Sequence, residues 1–370
     1  MTRQQAFGMA LIGYGGMGSW HAETIRAIPG LILRGVYDID PARRQAAAQA
    51  GIHAYRSLEE LLADPEVRCV TIATPNDTHL PLVCKAMQAG KHVVCEKPVA
   101  LNSGELEEMI ACSRRCGVLF TVHQNRRWDE DFLIAKRLYD EGTLGRLFGI
   151  ESRVHGANGI PGDWRGRKTH GGGMVLDWGV HLIDQLLMMV HDRQLLSVSA
   201  QLSHLTNDEV DDGFRALFGF EGNLTALLEV GTSHFIKLPR WYLTGNRGTA
   251  CIRDWDLSGE LVTVSTEKKW EIAPVRTAAG LTKTMAPRAE DTVHTQALPR
   301  VPTDIHDYYR NLRAAVEDGV PLAVQPKEAL RVMKVMEAVF ASAASGQTVF
   351  LDHAGCSSDD ALPRRFSQTT

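Results

Sequence analysis

Asp177 and His181 stand four residues apart in the segment Gly171-Gly172-Gly173-Met174-Val175-Leu176-Asp177-Trp178-Gly179-Val180-His181. An unperturbed imidazole titrates near neutral pH, which suits His181 to taking a proton from a hydroxyl. On a helix, i and i+4 side chains share one face. Asp177 then either holds the imidazole in one tautomer or binds a neighbouring substrate hydroxyl, and the spacing does not choose between the two. Lys97, in Glu96-Lys97-Pro98, brings a positive charge of the kind that stabilises an oxygen gaining alkoxide character. A base and a cation are what the oxidation of a secondary alcohol asks of side chains; the hydride acceptor must come from a cofactor.

Gly13-Tyr14-Gly15-Gly16-Met17-Gly18 is a G-x-G-x-x-G run that follows an apolar strand pattern and opens a helix pattern. Gly13 permits the tight turn, Gly15 lets backbone approach a pyrophosphate, and Gly18 lets helix and strand pack closely. The helix N-terminus offers free N–H groups to the phosphates. Asp38 lies twenty residues beyond Gly18, at the end of the second strand pattern. A carboxylate there accepts from the adenosine ribose hydroxyls and repels a 2′-phosphate, which favours NAD over NADP. Arg43 and Arg44 lie nearby and are of a type that tolerates the phosphate, so NADP stays the less favoured alternative. Asp40 before Pro41 reads as a helix cap.

These residues need a scaffold. Through residue 122, strand and helix patterns alternate: Phe7–Ile12, Leu31–Tyr37, Val67–Ala73, His92–Cys95 and Val118–Val122 as strands, with helices between them ending at Gly30, Gly51, Gly90 and Gly117. Such alternation gives a parallel sheet with helices on both faces. After residue 123 strand-like runs dominate, interrupted by one helix over Met174–Val190, which points to a mostly antiparallel sheet. Helices Thr303–Asp318 and Pro326–Ser345 either layer that sheet or pack at the domain junction. The fold class is therefore α/β: an N-terminal Rossmann domain over 1–123 and an α+β domain with a large open sheet over 124–352. Residues 271–300 read as a long loop and 353–370 as a disordered tail.

At 370 residues with 44% hydrophobic and 23% charged residues, the chain has the balance of a soluble globular protein. A net charge of −4 supplies no basic excess for nucleic acid, and no apolar run approaches a membrane span. The N-terminus lacks the features of a signal peptide. The seven cysteines contain no C-x-x-C, and Cys112 and Cys116 read as reduced thiols, which together point to a cytoplasmic protein. No H-E-x-x-H or cysteine cluster supports a metal.

Three further stretches occur with the glycine run: Ala73-Thr74-Pro75-Asn76 with His79, Glu96-Lys97-Pro98, and Asp177 through His181 as D-x-x-x-H. In combination they resemble the Gfo/Idh/MocA family, which includes glucose–fructose oxidoreductase and inositol dehydrogenases, over roughly residues 6–350. The resemblance implies an active site between the two domains, with Lys97, Asp177 and His181 around the substrate. It implies that Thr74, Pro75, Asn76, His79, Glu96 and Lys97 join Gly13, Tyr14, Gly15, Gly16, Met17, Gly18 and Asp38 in binding the cofactor, His79 being a helix-start residue first. It also implies a cis bond between Lys97 and Pro98. His155, two residues from Arg153, lies in a region where the family presents substrate contacts. Trp164 and Arg165 precede the triple glycine and either close over a polyol or form a surface loop. Asn125-Arg126-Arg127 reads equally as hinge or ligand contact.

The leading expectation is an NAD-dependent dehydrogenase of a sugar, glycoside or cyclitol, working as a homodimer or homotetramer joined through its open sheet. One alternative is a family member that oxidises transiently with bound NAD during glycoside cleavage or elimination, without accumulating NADH. Last comes a dinucleotide-sensing regulator, which has no use for Lys97 and His181 together.

Overall fold

The computed structural model describes residues 6–265 and 272–351. The expected tail over 353–370 lies outside them. Strand β1 (Phe7–Ile12) is wholly buried and is followed by α1 (Gly16–Ala27), β2 (Leu31–Tyr37), α2 (Pro41–Gln49), α3 (Leu58–Ala63) and β3 (Cys69–Ile72). Then come α4 (His79–Gln88), β4 (His92–Cys95), α5 (Ser103–Cys116) and β5 (Phe120–Val122). The five strands pair in parallel in the order β2-β1-β3-β4-β5. The order reverses between β1 and β3, and open α/β sheets bind ligands in the crevice beyond such a reversal. The strands read as continuous apolar runs because both faces are covered. Asp40 caps α2 by accepting from Ala42 N–H at 2.8 Å, with Pro41 just inside.

After α6 (Glu130–Asp140) the chain builds a nine-stranded sheet. It comprises β6 (Leu147–His155), then, after α7 (Val180–Met189), β7 (Leu195–Ser203), β8 (Gly213–Phe220), β9 (Leu224–Gly231), β10 (Trp241–Gly245), β11 (Gly248–Ile252) and β12 (Gly259–Val264). The central pair β6 and β9 is parallel; the neighbouring pairs are antiparallel. One face, with Ile150, Ala226, Leu228, Phe218 and Trp241, is buried under helices. The alternating residues Glu151, Arg153, His155, Leu217, Leu227 and Glu229 lie on the other face.

The structure corrects two expectations and decides between alternatives left open by a third. The stretch read as a loop over 271–300 contains a hairpin, β13 (Val275–Thr277) with β14 (Gly280–Thr282), and a strand, β15 (Val293–Gln296), that pairs with β12 at the sheet edge. Its polar, alternating residues gave a weak strand signal because both sides stay largely exposed. The helix expected from Met174 is a wide π-helical turn, Val175–Gly179, running into α7. The two C-terminal helices divide their packing. In α8 (His306–Asp318), Tyr309 reaches Thr71 of β3 at 3.3 Å, so this helix covers the parallel sheet. The last helix, α9 (Pro326–Ser345), lies at the junction against α5, α7 and β7, and β16 (Val349–Phe350) then pairs with β7. No helix among the described residues is long and apolar enough to cross a membrane.

Candidate active site

The glycine run turns from β1 into α1 at the sheet's reversal point. Gly13 has φ +95°, and a Cβ there would meet the Ala73 carbonyl at 2.5 Å. A Cβ on Gly18 would meet the Gly13 carbonyl at 2.2 Å, so both glycines are required by packing. Gly15 and Gly16 have open space beside them, and no side chain caps α1. The first N–H groups of the helix are thus left for a phosphate, and the cradle fits a dinucleotide. Asp38 accepts from Tyr14 N–H at 2.7 Å and from Asp40 N–H at 2.9 Å, which fixes its carboxylate beside the cradle. Tyr14 therefore gives its N–H to Asp38 rather than to a phosphate. Met17 is half-exposed on the first turn of α1. Arg44 donates to the Asp38 carbonyl at 2.5 Å and to the Ile39 carbonyl at 3.2 Å, while Arg43 is exposed.

Thr74, Pro75 and Asn76 follow β3 at its carboxyl end. Thr74 accepts from the Thr78 hydroxyl at 2.7 Å, and Asn76 is buried with its amide on the Gly171 carbonyl at 3.0 Å. Asn76 thus ties the parallel-sheet domain to the triple-glycine loop, and His170 with Asp77 at 3.1 Å makes a second tie. His79 departs from the cofactor role drawn for it. It is wholly buried, its ring nitrogens facing the carbonyls of Thr74, Pro98 and Val99 at 3.0 to 3.2 Å, and it clamps the turn after Lys97. Glu96 departs likewise. It points down into the core, where Oε1 accepts from His21 Nε2 and His123 Nδ1, each at 2.8 Å.

The Lys97–Pro98 peptide is cis, as the resemblance implies. Lys97 Nζ donates to Asp177 Oδ1 at 2.9 Å and to the Asp177 carbonyl at 3.0 Å. Arg165 Nε lies 3.4 Å from Asp177 Oδ2. Burial pushes the Asp177 carboxyl up, but the charges of Lys97 and Arg165 outweigh it and hold the group below the usual range. Asp177 makes no hydrogen bond to His181 among the described contacts. The Asp177 carboxylate is instead taken up by Lys97 and Arg165, so the i, i+4 pairing with His181 does not form. His181 is 3% exposed, and its Nδ1 is buried without a partner. Burial, then the charges of Lys97 and Arg126, push its imidazole well below the ordinary value. These surroundings favour the neutral ring, against the near-neutral titration expected of a free imidazole.

One wall of the site was only partly legible in the sequence, where Arg126 reads equally as hinge or ligand contact. The Arg126 guanidinium stacks 4.1 Å over the Trp178 ring and 5.3 Å over Trp255. The Arg240 guanidinium lies 4.8 Å from the Trp255 ring centroid as well. Trp178 meets the His181 ring edge-on at 5.9 Å. Trp178 was visible as the neighbour of Asp177, but Trp255 and Arg240 arrive from strand ends far along the chain. On another side, Arg165 lies 4.5 Å over Trp164 and pairs with Asp163 at 2.7 Å, so this short turn reaches Asp177.

His155 lies at the edge of this wall. Strand parity puts Ser152 on the helix-covered face, where it meets Arg240 at 2.5 Å, and turns Arg153 and His155 to the opposite face. There His155 stacks on His234, with ring centroids 3.9 Å apart, beside Glu229, and it lines a small pocket with Arg240 and Trp255. His155, Glu229 and His234, like His21, Glu96 and His123, gather ligand-type atoms. Glu229 is already paired with Arg153 and Arg215, which opposes a cation there. The 2.8 Å contacts of Glu96 are ordinary hydrogen bonds.

Comparison with known proteins agrees with this arrangement. Residues 7–124 match the oxidoreductase family with an NAD-binding Rossmann fold, and residues 132–251 match the GFO/IDH/MocA C-terminal domain. The chain is 29% identical to a scyllo-inositol 2-dehydrogenase (NADP(+)) of Bacillus subtilis, over 80% of this chain and 82% of that one. It superposes on an NAD-binding protein from Listeria innocua with a TM-score of 0.90 at 49% identity, covering 94% of this chain and 100% of the other. GenD2 from gentamicin A biosynthesis, solved in complex with NAD, gives a TM-score of 0.75 at 25% identity, covering 94% and 97%. With the glycine cradle, the Glu96-Lys97-Pro98 turn and the Asp177–His181 segment converging on one cleft, the chain belongs to the Gfo/Idh/MocA family and is an NAD(P)-dependent oxidoreductase.

Proposed function

We propose that this protein is an NAD-dependent dehydrogenase that oxidises a ring secondary alcohol of a sugar, glycoside or cyclitol. The observation that carries the proposal is the convergence of Lys97, Asp177 and His181 beyond the carboxyl end of β4, next to the glycine cradle. NAD, when bound, accepts the hydride. His181 takes the hydroxyl proton; with Nδ1 buried, Nε2 is the nitrogen left for the substrate. Lys97 stabilises the oxygen as it gains charge, and Asp177 holds the Lys97 ammonium in place. The stacked wall of Trp178, Arg126 and Trp255 and the Trp164–Arg165 turn offer apolar ring faces and N–H donors suited to a polyhydroxylated ring.

The inositol dehydrogenase among the relatives supports a cyclitol or sugar substrate. That relative is an NADP(+) enzyme, whereas the placement of Asp38 here supports NAD. The six cysteines among the described residues are free thiols, which fits a reducing compartment. The test is an absorbance assay at the NADH band across inositols, glucosides and free hexoses, run with NAD and with NADP. Steady NADH production from one of these rings is the expected result. No turnover of any ring alcohol, with either cofactor, would overturn the reading.

A further inference from the structure

His181 stands at the start of α7, and two residues one turn further along that helix grip the walls of the cleft. Asp184 takes both arms of the Arg127 guanidinium, at 2.7 and 2.6 Å. Gln185 is wholly buried. Its Nε2 donates to the Arg126 carbonyl at 2.6 Å, and its Oε1 accepts from Arg240 Nη2 at 3.2 Å. One neutral amide therefore joins α7 to the turn after β5 and to the residue that precedes β10.

Those two arginines are the ones gathered at Trp255. The Arg126 guanidinium lies 5.3 Å and that of Arg240 4.8 Å from its ring centroid. The carboxylate that holds Arg126, Asp129 at 3.0 Å, lies only three residues further along and does not tie the turn to α7. Arg240 meets Ser152 on β6 and Asp131 on α6, and neither contact reaches α7. Gln185 supplies the missing tie. It is i+4 from His181 within a regular helix, so the two share one face. The position also demands an amide, because its donor must meet a carbonyl and its acceptor a guanidinium. A carboxylate suits the cation and repels the carbonyl, and an aliphatic side chain leaves both partners unpaired in the interior.

We propose that Gln185 is a positioning residue that sets the Arg126–Trp255–Arg240 wall relative to His181, and that it governs how tightly the substrate ring is held rather than how fast hydride leaves. The inference rests on the reading that this wall meets the substrate ring.

The test is steady-state kinetics at saturating NAD with the ring alcohol that the wild type turns over best among inositols, glucosides and free hexoses. Gln185→Met keeps the length of the side chain and removes both hydrogen bonds. Its KM for the ring alcohol is expected to rise by ~10-fold or more, with kcat within ~3-fold and the KM for NAD unmoved. Gln185→Glu, which keeps the acceptor for Arg240, gives a smaller rise. In a Trp255→Leu background, where the wall is already broken, Gln185→Met adds little further. A purely structural role would lower Tm and add in full in both backgrounds. An unchanged KM, a fall in kcat alone, or full additivity with Trp255→Leu overturns the proposal. If Gln185→Met does not fold, Gln185→Glu measured with and without Trp255→Leu decides the matter in the same way. The indole N–H NMR signals of Trp178 and Trp255, assigned by their loss in Trp178→Phe and Trp255→Leu, are read in the unliganded protein and shift in the Gln185 variants. If the wild type turns over no ring alcohol, the reading of the substrate fails. The indole signals still report separately whether Gln185 sets the wall, and unmoved signals overturn that.

Discussion

Lys97 Nζ is held between the carboxylate and the backbone carbonyl of Asp177, at 2.9 and 3.0 Å, so the end of a parallel strand is bonded to the turn that leads into α7. The two sheets thus meet through a charged contact at the centre of the cleft. Asp177→Asn keeps the shape and loses the charge that aims the ammonium. It is expected to lower kcat by ~10-fold to 10²-fold, with NADH affinity changed little. Lys97→Ala and His181→Ala are each expected to cost ~10²-fold or more. Stopped-flow turnover beside NADH fluorescence titration checks both statements. Near-wild-type rates in both alanine variants on the best ring substrate would show that the cleft is not the reacting centre.

The pH dependence of oxidation follows from His181. Its imidazole is held well below the ordinary value by burial and by the charges of Lys97 and Arg126, so the base is already deprotonated at neutral pH. The rate is expected to be flat through neutral pH and to fall only in acid, below the ~6.5 of a free imidazole. A profile of kcat against pH with its acid limb near neutrality would contradict this.

The sequence carried the candidate site residues better than their contacts. The glycine run and the strand-helix alternation depend on local chemistry, and both were legible. Lys97 and Asp177 were recognisable as residues, but their mutual bond depends on how two domains meet. Asp177 was paired with His181 on helix periodicity alone; the long-range partners that claim its carboxylate, Lys97 and Arg165, have no short-range signature. The surroundings of His155 turned on strand parity, since one residue of register decides which face it occupies. His21 and His123 were missed although both lie near strand ends or the first helix, where ligands gather. Nothing local announces that their rings converge on Glu96.

Cofactor choice is expected to rest on Asp38, whose carboxylate is fixed beside the cradle by Tyr14 and Asp40 N–H groups. Asp38→Ala removes the acceptor for the ribose hydroxyls and the charge that repels a 2′-phosphate. NAD binding should weaken by ~10-fold to 10²-fold and the gap to NADP should narrow. Isothermal titration with both cofactors measures it. A wild-type protein that turns over NADP better than NAD would shift the weight to Arg43 and Arg44.

The uncovered face of the large sheet is expected to join copies of the chain. Leu217 is 47% exposed and lies opposite Leu227 on that face, and Phe148 is 53% exposed nearby. Apolar surface of this kind on a broad sheet marks association sites. Light scattering at micromolar concentration should give a dimer or tetramer, and Leu217→Glu should shift it toward monomer. A monomeric wild type would refute the expectation.

Asp211 supplies a stability test that is independent of substrate. It accepts from Val175 N–H at 2.8 Å through Oδ2, and its carbonyl accepts from Met174 N–H at 3.0 Å, so it fastens the start of the turn carrying Asp177. Gly173 precedes that turn with φ +103°, and a Cβ there would meet Asp211 Oδ1 at 2.3 Å, so the approach is close enough to demand glycine. Burial pushes the carboxyl up to about 6, against the lowering effect of its backbone hydrogen bonds. A raised carboxyl means the folded state holds the proton more tightly than the unfolded chain does. Its contribution is therefore fully present in acid and is lost as pH climbs through about 6. Above that pH the buried charge costs up to about 3 kcal/mol, at ~1.4 kcal/mol for each unit of displacement. Asp211→Asn keeps an acceptor for Val175 and never ionises. Its Tm is expected to exceed that of the wild type at about pH 8, and the gap should close toward about pH 4. A gap that stays constant across this range, or that grows toward acid, would mean that Asp211 does not titrate in the fold as its surroundings require.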